Sequence, residues 1–148
     1  MNLADWEQNG WLKSHRTSAT EIRSLLAVVE RDLRDSAAEA VSADWRLNIA
    51  YNAALQAATA ALAAAGYRAS REQHHYRAIH SLEATIGAEP ELIALLDSFR
   101  KKRNIADYER AGVVSDVEAK EMRRLAVRIR DEVVTWLRQH HPALLSSP

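Results

Sequence analysis

Glycine and proline are scarce in this chain, and their positions constrain the fold more than any other feature. The 148 residues include only four glycines and three prolines. Both residue types interrupt regular structure, and runs of β-branched residues are few, so the long stretches between them favour helices joined by short turns. The sequence therefore predicts an all-α protein.

Capping residues set the ends of the predicted helices. Serine and threonine are favoured just before the first turn of a helix, and glycine just after the last. Two Ser-x-x-Glu capping boxes, at Ser18 and Ser115, mark helix starts, and Ser70 is expected to cap another helix. The predicted helices run from Leu3 to Ser14, Thr17 to Glu39, Ser42 to Ala65, Arg71 to Ile86, Pro90 to Arg110 and Ser115 to His140.

Short links between long helices make neighbours antiparallel, which predicts an up-and-down helical bundle. We expect one domain over residues 1–148, with N-terminal helices in 1–40, the bundle core in 42–140 and a frayed tail in 142–148. The third helix is rich in alanine, and its small side chains predict either tight packing or a dimer seam. These residues are Ala50, Ala54, Ala57, Ala58 and Ala61.

Charge and cysteine content exclude several classes of protein. Twenty basic residues balance twenty acidic ones, so nucleic-acid binding would need a local patch. One basic patch is residues 100–103, and a second lies on the last helix, where the alternative is a solvated face of paired charges. The second patch consists of Arg123, Arg124, Arg128, Arg130 and Arg138. The chain has no cysteine, no signal-peptide pattern and no apolar run near 20 residues, which predicts a cytoplasmic protein outside the membrane.

The segment around Arg103 places a charged side chain on the face of the predicted fifth helix that should pack against the core. At about 100° per residue, Arg103 falls within the arc that should face the core. That arc is formed by Leu92, Leu95, Leu96, Phe99 and Ala106. A buried charge must be paired or must line a cleft. Asp107, one turn after Arg103, is the expected partner, and Asn104 and Tyr108 have the same spacing.

The run Arg103-Asn104-x-x-Asp107-Tyr108, followed by Gly112, resembles a prokaryotic branch of the HEPN superfamily. The name of this family of small helical proteins stands for higher eukaryotes and prokaryotes nucleotide-binding. The resemblance implies a homodimer whose motif helices flank a shared cleft for RNA or a nucleotide. It also implies a role in a toxin–antitoxin or defence system, often beside a minimal nucleotidyltransferase, for which Tyr108 would be a candidate modification site.

The family motif continues with a histidine four to six positions beyond the arginine, and this chain lacks it. Arginine can stabilise the charge of a cleaved phosphate but cannot transfer protons, so we expect weak or no ribonuclease activity. The candidate catalytic residues implied by the resemblance are Arg103, Asn104, Asp107 and Tyr108, and the candidate ligand-binding residues are Arg100, Arg103 and Asn52.

His75 is the alternative source of proton transfer. It belongs to the cluster Gln73-His74-His75-Tyr76, on a predicted helix that should pack beside the motif helix. His75 would then either approach Arg103 or pack between helices with a single polar contact. His80 is poorly spaced from His75 for a shared metal, so no metal site is predicted, and no cofactor motif is visible.

Three functional hypotheses follow from these residues. The first is an HEPN-like protein that binds RNA or a nucleotide at a dimer cleft. The second is an active, metal-independent HEPN ribonuclease in which His75 or Asp107 replaces the missing base. The third is a non-enzymatic helical module for protein interaction, in which Arg103 belongs to a buried polar network.

Overall fold

The computed structural model describes residues 2–108 and 112–146, with side chains described outside 105–108. The described elements are α1 (Leu3–Gln8), β1 (Leu12–Ser14), α2 (Ala19–Asp35), α3 (Ala43–Ala64), β2 (Tyr67–Ala69), α4 (His74–His80), α5 (Leu82–Thr85), α6 (Pro90–Tyr108), α7 (Asp116–His140) and a 3₁₀ turn (Pro142–Leu145). The predicted all-α helical bundle is confirmed, with one small sheet that was not expected.

Helix α3 is the centre of the bundle, and α2 and α7 pack along it. The five alanines predicted to permit close approach are all fully buried within a single chain. They are therefore used for tight packing inside the protein and cannot form a dimer seam. Ile22 and Val29 of α2 are also fully buried in the main core. The body of the bundle thus includes α2, and the predicted boundary near residue 41 does not separate the N-terminal helices from the core.

Serine caps begin three of the four long helices, as the sequence predicted. Ser42 accepts a hydrogen bond from the Trp45 amide at the start of α3. At α7, Ser115 and Glu118 form a complete capping box. Ser18 caps α2 by accepting from the Glu21 amide, but the Glu21 side chain makes different contacts, which are described below. The end of α2 at Asp35 comes four residues before the predicted end, Glu39.

The first predicted helix, Leu3 to Ser14, is wrong beyond Gln8. Gly10, with φ +78°, turns the chain, and β1 then pairs antiparallel with β2. Leu12 lies opposite Ala69 in this ladder. Leu12, Ala69 and Leu62 form a second, small buried cluster. A distant strand and a turn therefore override the local helical pattern.

The predicted helix from Arg71 to Ile86 is also wrong. Ser70 does not cap it, because its hydroxyl donates to the Gly10 carbonyl at 2.8 Å. Instead, α4 begins after Gln73, which adopts a left-handed conformation with φ +53°, and Ser81 separates α4 from α5.

Helix α4 rests on the N-terminal segment through Arg77. The Arg77 guanidinium lies 3.8 Å from the centre of the Trp11 ring and 6.0 Å from that of Trp6. Cation–π contacts of this kind attract a guanidinium to the face of an indole ring. The segment from α1 to β1 therefore supports the position of α4.

The C-terminal tail is ordered further than predicted. The 3₁₀ turn packs against α2 and α7, and Arg23 of α2 donates to the Ser146 carbonyl at 3.1 Å. Residues 147–148 lie outside the described chain. None of the described helices combines the length and the apolar character needed to cross a bilayer.

Candidate functional site

A polar cleft of about 460 Å³ lies between the start of α4 and the second half of α6. Its lining side chains are Arg71, Gln73, His74, His75, Tyr76, Arg100, Arg103 and Asn104. We call it the Arg103 cleft. Three arginines and two histidines line it, and no carboxylate does so among the described residues. Such a surface attracts anions, and phosphate in particular, because guanidinium groups match its geometry.

Arg103 lies half-buried at the edge of this cleft. Its Nε donates to Asn48 Oδ1 of α3 at 3.1 Å, and its guanidinium lies 5.6 Å from the centre of the Tyr51 ring. The Asn48 contact gives the charge a polar partner on the bundle side. The side chains of Asp107 and Tyr108 lie outside the described residues, so the expected pair between Arg103 and Asp107 remains a prediction.

The apolar arc on α6 is largely as expected. Leu92, Leu96 and Phe99 are buried, whereas Leu95 is 45% exposed. Ile93, on the other side of Leu92, is buried in place of Leu95. The buried face of α6 is therefore rotated slightly towards Ile93, and Arg103 still lies on the side that faces α3, where it contacts Asn48.

Asn52 does not lie in the cleft. Its amide donates to Asp32 Oδ2 of α2 at 2.7 Å, and Gln56 donates to its oxygen. Asn48, one helical turn earlier, is the asparagine of α3 that contacts Arg103. The assignment of Asn52 to ligand binding is therefore corrected: it satisfies a buried carboxylate.

Arg100 forms an ion pair with Asp97, one turn earlier on α6. Its Nε donates to Asp97 Oδ1 at 2.8 Å, and Lys101 also approaches this carboxylate. Although burial opposes ionisation, the hydrogen bond and charge of Arg100 hold the pKa of Asp97 below its ordinary value. The Arg100 guanidinium lies 5.7 Å from the centre of the Tyr76 ring, so a cation and an aromatic face are adjacent in the cleft.

His75 lines the same cleft as Arg103, which is the arrangement proposed for a substitute base. Its Nδ1 lies 3.1 Å from the Tyr51 hydroxyl oxygen. Burial lowers the pKa of His75, and the nearby charges of Arg103, His74 and Arg100 lower it further. The imidazole is therefore neutral at neutral pH.

Tyr51 fixes the orientation of this imidazole. It is almost completely buried, and burial raises its pKa, so the hydroxyl stays protonated. In the tautomer whose Nδ1–H donates to Tyr51, the lone pair of His75 Nε2 is left for a ligand. That tautomer gives the cleft a neutral imidazole able to accept a proton.

Several cleft residues were not predicted as site residues. Arg71 and Gln73 were placed inside a regular helix, and only its later start at His74 turns them towards the cleft. A left-handed backbone at a residue other than glycine is uncommon, and such conformations concentrate at functional sites. The Gln73-His74-His75-Tyr76 cluster was the signal that pointed to this region.

Three of the five arginines in the second basic patch, on α7, make contacts within the protein. Arg128 and Arg130 form ion pairs with Glu132 and Glu30, respectively, and Arg123 donates to a backbone carbonyl of α2. These contacts support the alternative of a solvated face of paired charges.

Within residues 2–108 and 112–146, no group of three or more metal-ligating side chains is arranged to hold an ion. No protein-family model matches this chain, and a search of curated proteins finds no significant match.

Proposed function

We propose that this protein is an HEPN-like protein of a prokaryotic toxin–antitoxin or defence system that binds RNA or a nucleotide through phosphate at the Arg103 cleft. The observation that carries the proposal is the lining of that cleft. Three guanidinium groups and two imidazoles converge there, and no described carboxylate lines it. Because the chain has no net charge, this local concentration is what would select an anion.

Each part of the cleft has a function in binding. Arg71 makes no ion pair with any residue that the structure describes, so its guanidinium is available to phosphate. Asn104 offers both a donor and an acceptor without charge. The Tyr76 ring stacks on His80, with 4.1 Å between the ring centres, and a base of single-stranded RNA would extend this stack beside Arg100. The proposed ligand is therefore single-stranded RNA or a free nucleotide.

The proposal includes a homodimer, which follows from the resemblance to HEPN proteins. A twofold axis beside α6 would bring two Arg103 clefts together and double the positive charge facing the ligand. A minimal nucleotidyltransferase is the proposed protein partner, with Tyr108 as its candidate target.

A second candidate function is metal-independent RNA cleavage, and the position of His75 favours it. His75 Nε2 would take the proton from a ribose 2′-hydroxyl as the 2′ oxygen attacks phosphorus. The bond to the 5′ oxygen would break, and His74, the other imidazole of the cleft, would protonate that oxygen. Arg103 would stabilise the charge on the phosphoryl oxygens. The products would be a 2′,3′-cyclic phosphate and a 5′-hydroxyl end.

One set of variants separates these functions. Purified protein is mixed with single-stranded RNAs and tRNA in the presence of a chelator, and both binding and cleavage are measured. Arg103→Ala and His75→Ala test the cleft, and His140→Ala, at an exposed position of α7, is the matched control.

Binding that Arg103→Ala weakens, without cleavage, supports the first function. Cleavage that both cleft variants abolish and His140→Ala retains supports the second. If wild-type protein neither binds nor cleaves these RNAs and binds no nucleotide, both proposals are wrong. A marked loss of thermal stability in Arg103→Ala would then favour the interaction module.

A further inference from the structure

A second cavity, of about 210 Å³, opens on the other side of α4. Its apolar wall is formed by Leu25, Leu62, Ala63, Ala69 and Ala78. Sites for drug-sized ligands measure roughly 300–1,000 Å³, so this cavity suits only a smaller molecule. His74 is the only described residue that lines both this cavity and the Arg103 cleft. The two are therefore separate sites.

Glu21 is the acidic residue of this second cavity, and its carboxylate is held in a fixed orientation. Its Oε1 accepts hydrogen bonds from Thr17 Oγ1 and His15 Nε2, both at 2.7 Å. His15 is itself fixed, since its amide donates to the Gly66 carbonyl at 2.8 Å. Among the described residues, none donates a hydrogen bond to Glu21 Oε2.

The pKa of Glu21 is lowered, mainly by the hydrogen bond from Thr17 and next by the one from His15. The carboxylate is therefore ionised at neutral pH. The Glu21 side chain is 39% exposed, so its charge lies where the apolar wall meets solvent. A cation that entered the cavity would meet Oε2, to which no described residue donates.

A comparison with Glu118 shows that this arrangement is not required for helix capping. Both glutamates occupy the last position of a Ser-x-x-Glu motif at a helix start. The Glu118 carboxylate accepts from the Ser115 amide at 3.1 Å and completes a capping box. The Glu21 carboxylate makes no equivalent bond to the Ser18 amide and lines the cavity instead.

We propose that this cavity binds a small organic cation, with a body of one ring or a short alkyl chain against the apolar wall and an ammonium or amidinium group on Glu21 Oε2. The geometry that points to it is a fixed carboxylate with one free oxygen at the mouth of an apolar cavity. The site is independent of the Arg103 cleft, and the proposal does not depend on RNA or nucleotide binding.

The test uses four one-ring probes that differ in charge. Benzamidine and benzylamine are cationic, benzamide is neutral and benzoate is anionic. Each is titrated into wild-type protein, Glu21→Gln and the matched control Glu118→Gln, and binding is followed by calorimetry and by NMR shifts of residues around the cavity. Glu21→Gln removes the charge at a partly exposed position and keeps the shape of the side chain.

We expect at least one of the two cations to bind at least tenfold more tightly than benzamide. Glu21→Gln should weaken that binding at least tenfold, and Glu118→Gln should leave it within twofold. Equal binding of cation and amide would overturn the proposal, as would tighter binding of benzoate, which would make Arg68 at the mouth the deciding charge. Saturable binding of neither cation, or binding that Glu21→Gln leaves unchanged, would also overturn it.

Discussion

If the Arg103 cleft binds RNA through phosphate, the affinity for RNA must fall as the salt concentration rises. The steepness of that fall is set by the number of arginines that contact phosphate. Each phosphate contact made to a single strand contributes about 0.7 to the slope of log affinity against log salt concentration. Contacts from Arg71, Arg100 and Arg103 would give a slope of about −2.1. Replacing Arg71 by glutamine should reduce its magnitude by about 0.7 and weaken binding about fivefold at 0.1 M salt.

Arg71 is the appropriate residue for this test because it is exposed and has no ion-pair partner among the described residues. Its replacement should therefore change binding without changing stability. Fluorescence anisotropy of a labelled single-stranded RNA, from low to moderate salt, gives the slope. Arg138→Gln, in the second basic patch, is the matched control and should leave the slope unchanged. The phosphate-binding hypothesis fails if Arg71→Gln keeps the wild-type slope, or if Arg138→Gln reduces it equally.

Three further predictions concern proton transfer and packing. If the protein cleaves RNA, the rising limb of the pH–rate profile should follow the lowered pKa of His75, because a base must be deprotonated, and the rate should fall at higher pH, because the general acid must be protonated. A rate that still rises above neutrality would exclude His75 as the base. Ala57→Leu, at a fully buried position, should lower the free energy of unfolding by about 1–3 kcal/mol in urea denaturation, whereas Ala94→Leu on the exposed face of α6 should change it by less than about 0.5 kcal/mol. Asn52→Ala should cost about 1–3 kcal/mol in the same assay, since Asp32 is 5% exposed and would lose a hydrogen-bond donor; an unchanged midpoint would mean that water replaces the amide.

The long helices could be predicted from sequence because their signals are local. Ser42 and Ser115 cap the helices that were expected to start there. The sheet could not be predicted in the same way. Strands of three residues carry little pattern, and β1 is stable only because β2, more than fifty positions later, pairs with it. The same pairing engages Ser70 and thereby delays the start of α4.

The candidate site was predicted in part for a similar reason. The proximity of His75 to Arg103 followed from packing one helix beside another, which tolerates small errors in helix ends. The assignment of Asn52 to the site was wrong, because Asn48 and Asn52 are four positions apart on one helix and lie on nearly the same face. Only the positions of α2 and α6 decide that Asn52 meets Asp32 and Asn48 meets Arg103.

Pairing of β1 with β2 also sets an order of assembly. Helices α2 and α3 are adjacent in sequence and form early, whereas contacts between distant residues form more slowly. During synthesis, Leu12 can pair with Ala69 only after Ala69 has left the ribosome. The cation–π contact between Arg77 and Trp11 can form only after that. In pulsed hydrogen exchange during refolding, amides of α2 and α3 should gain protection before that of Leu12. A new chain can therefore pack α2 on α3 before β1 pairs with β2, and the imidazoles of α4 take their positions after that pairing.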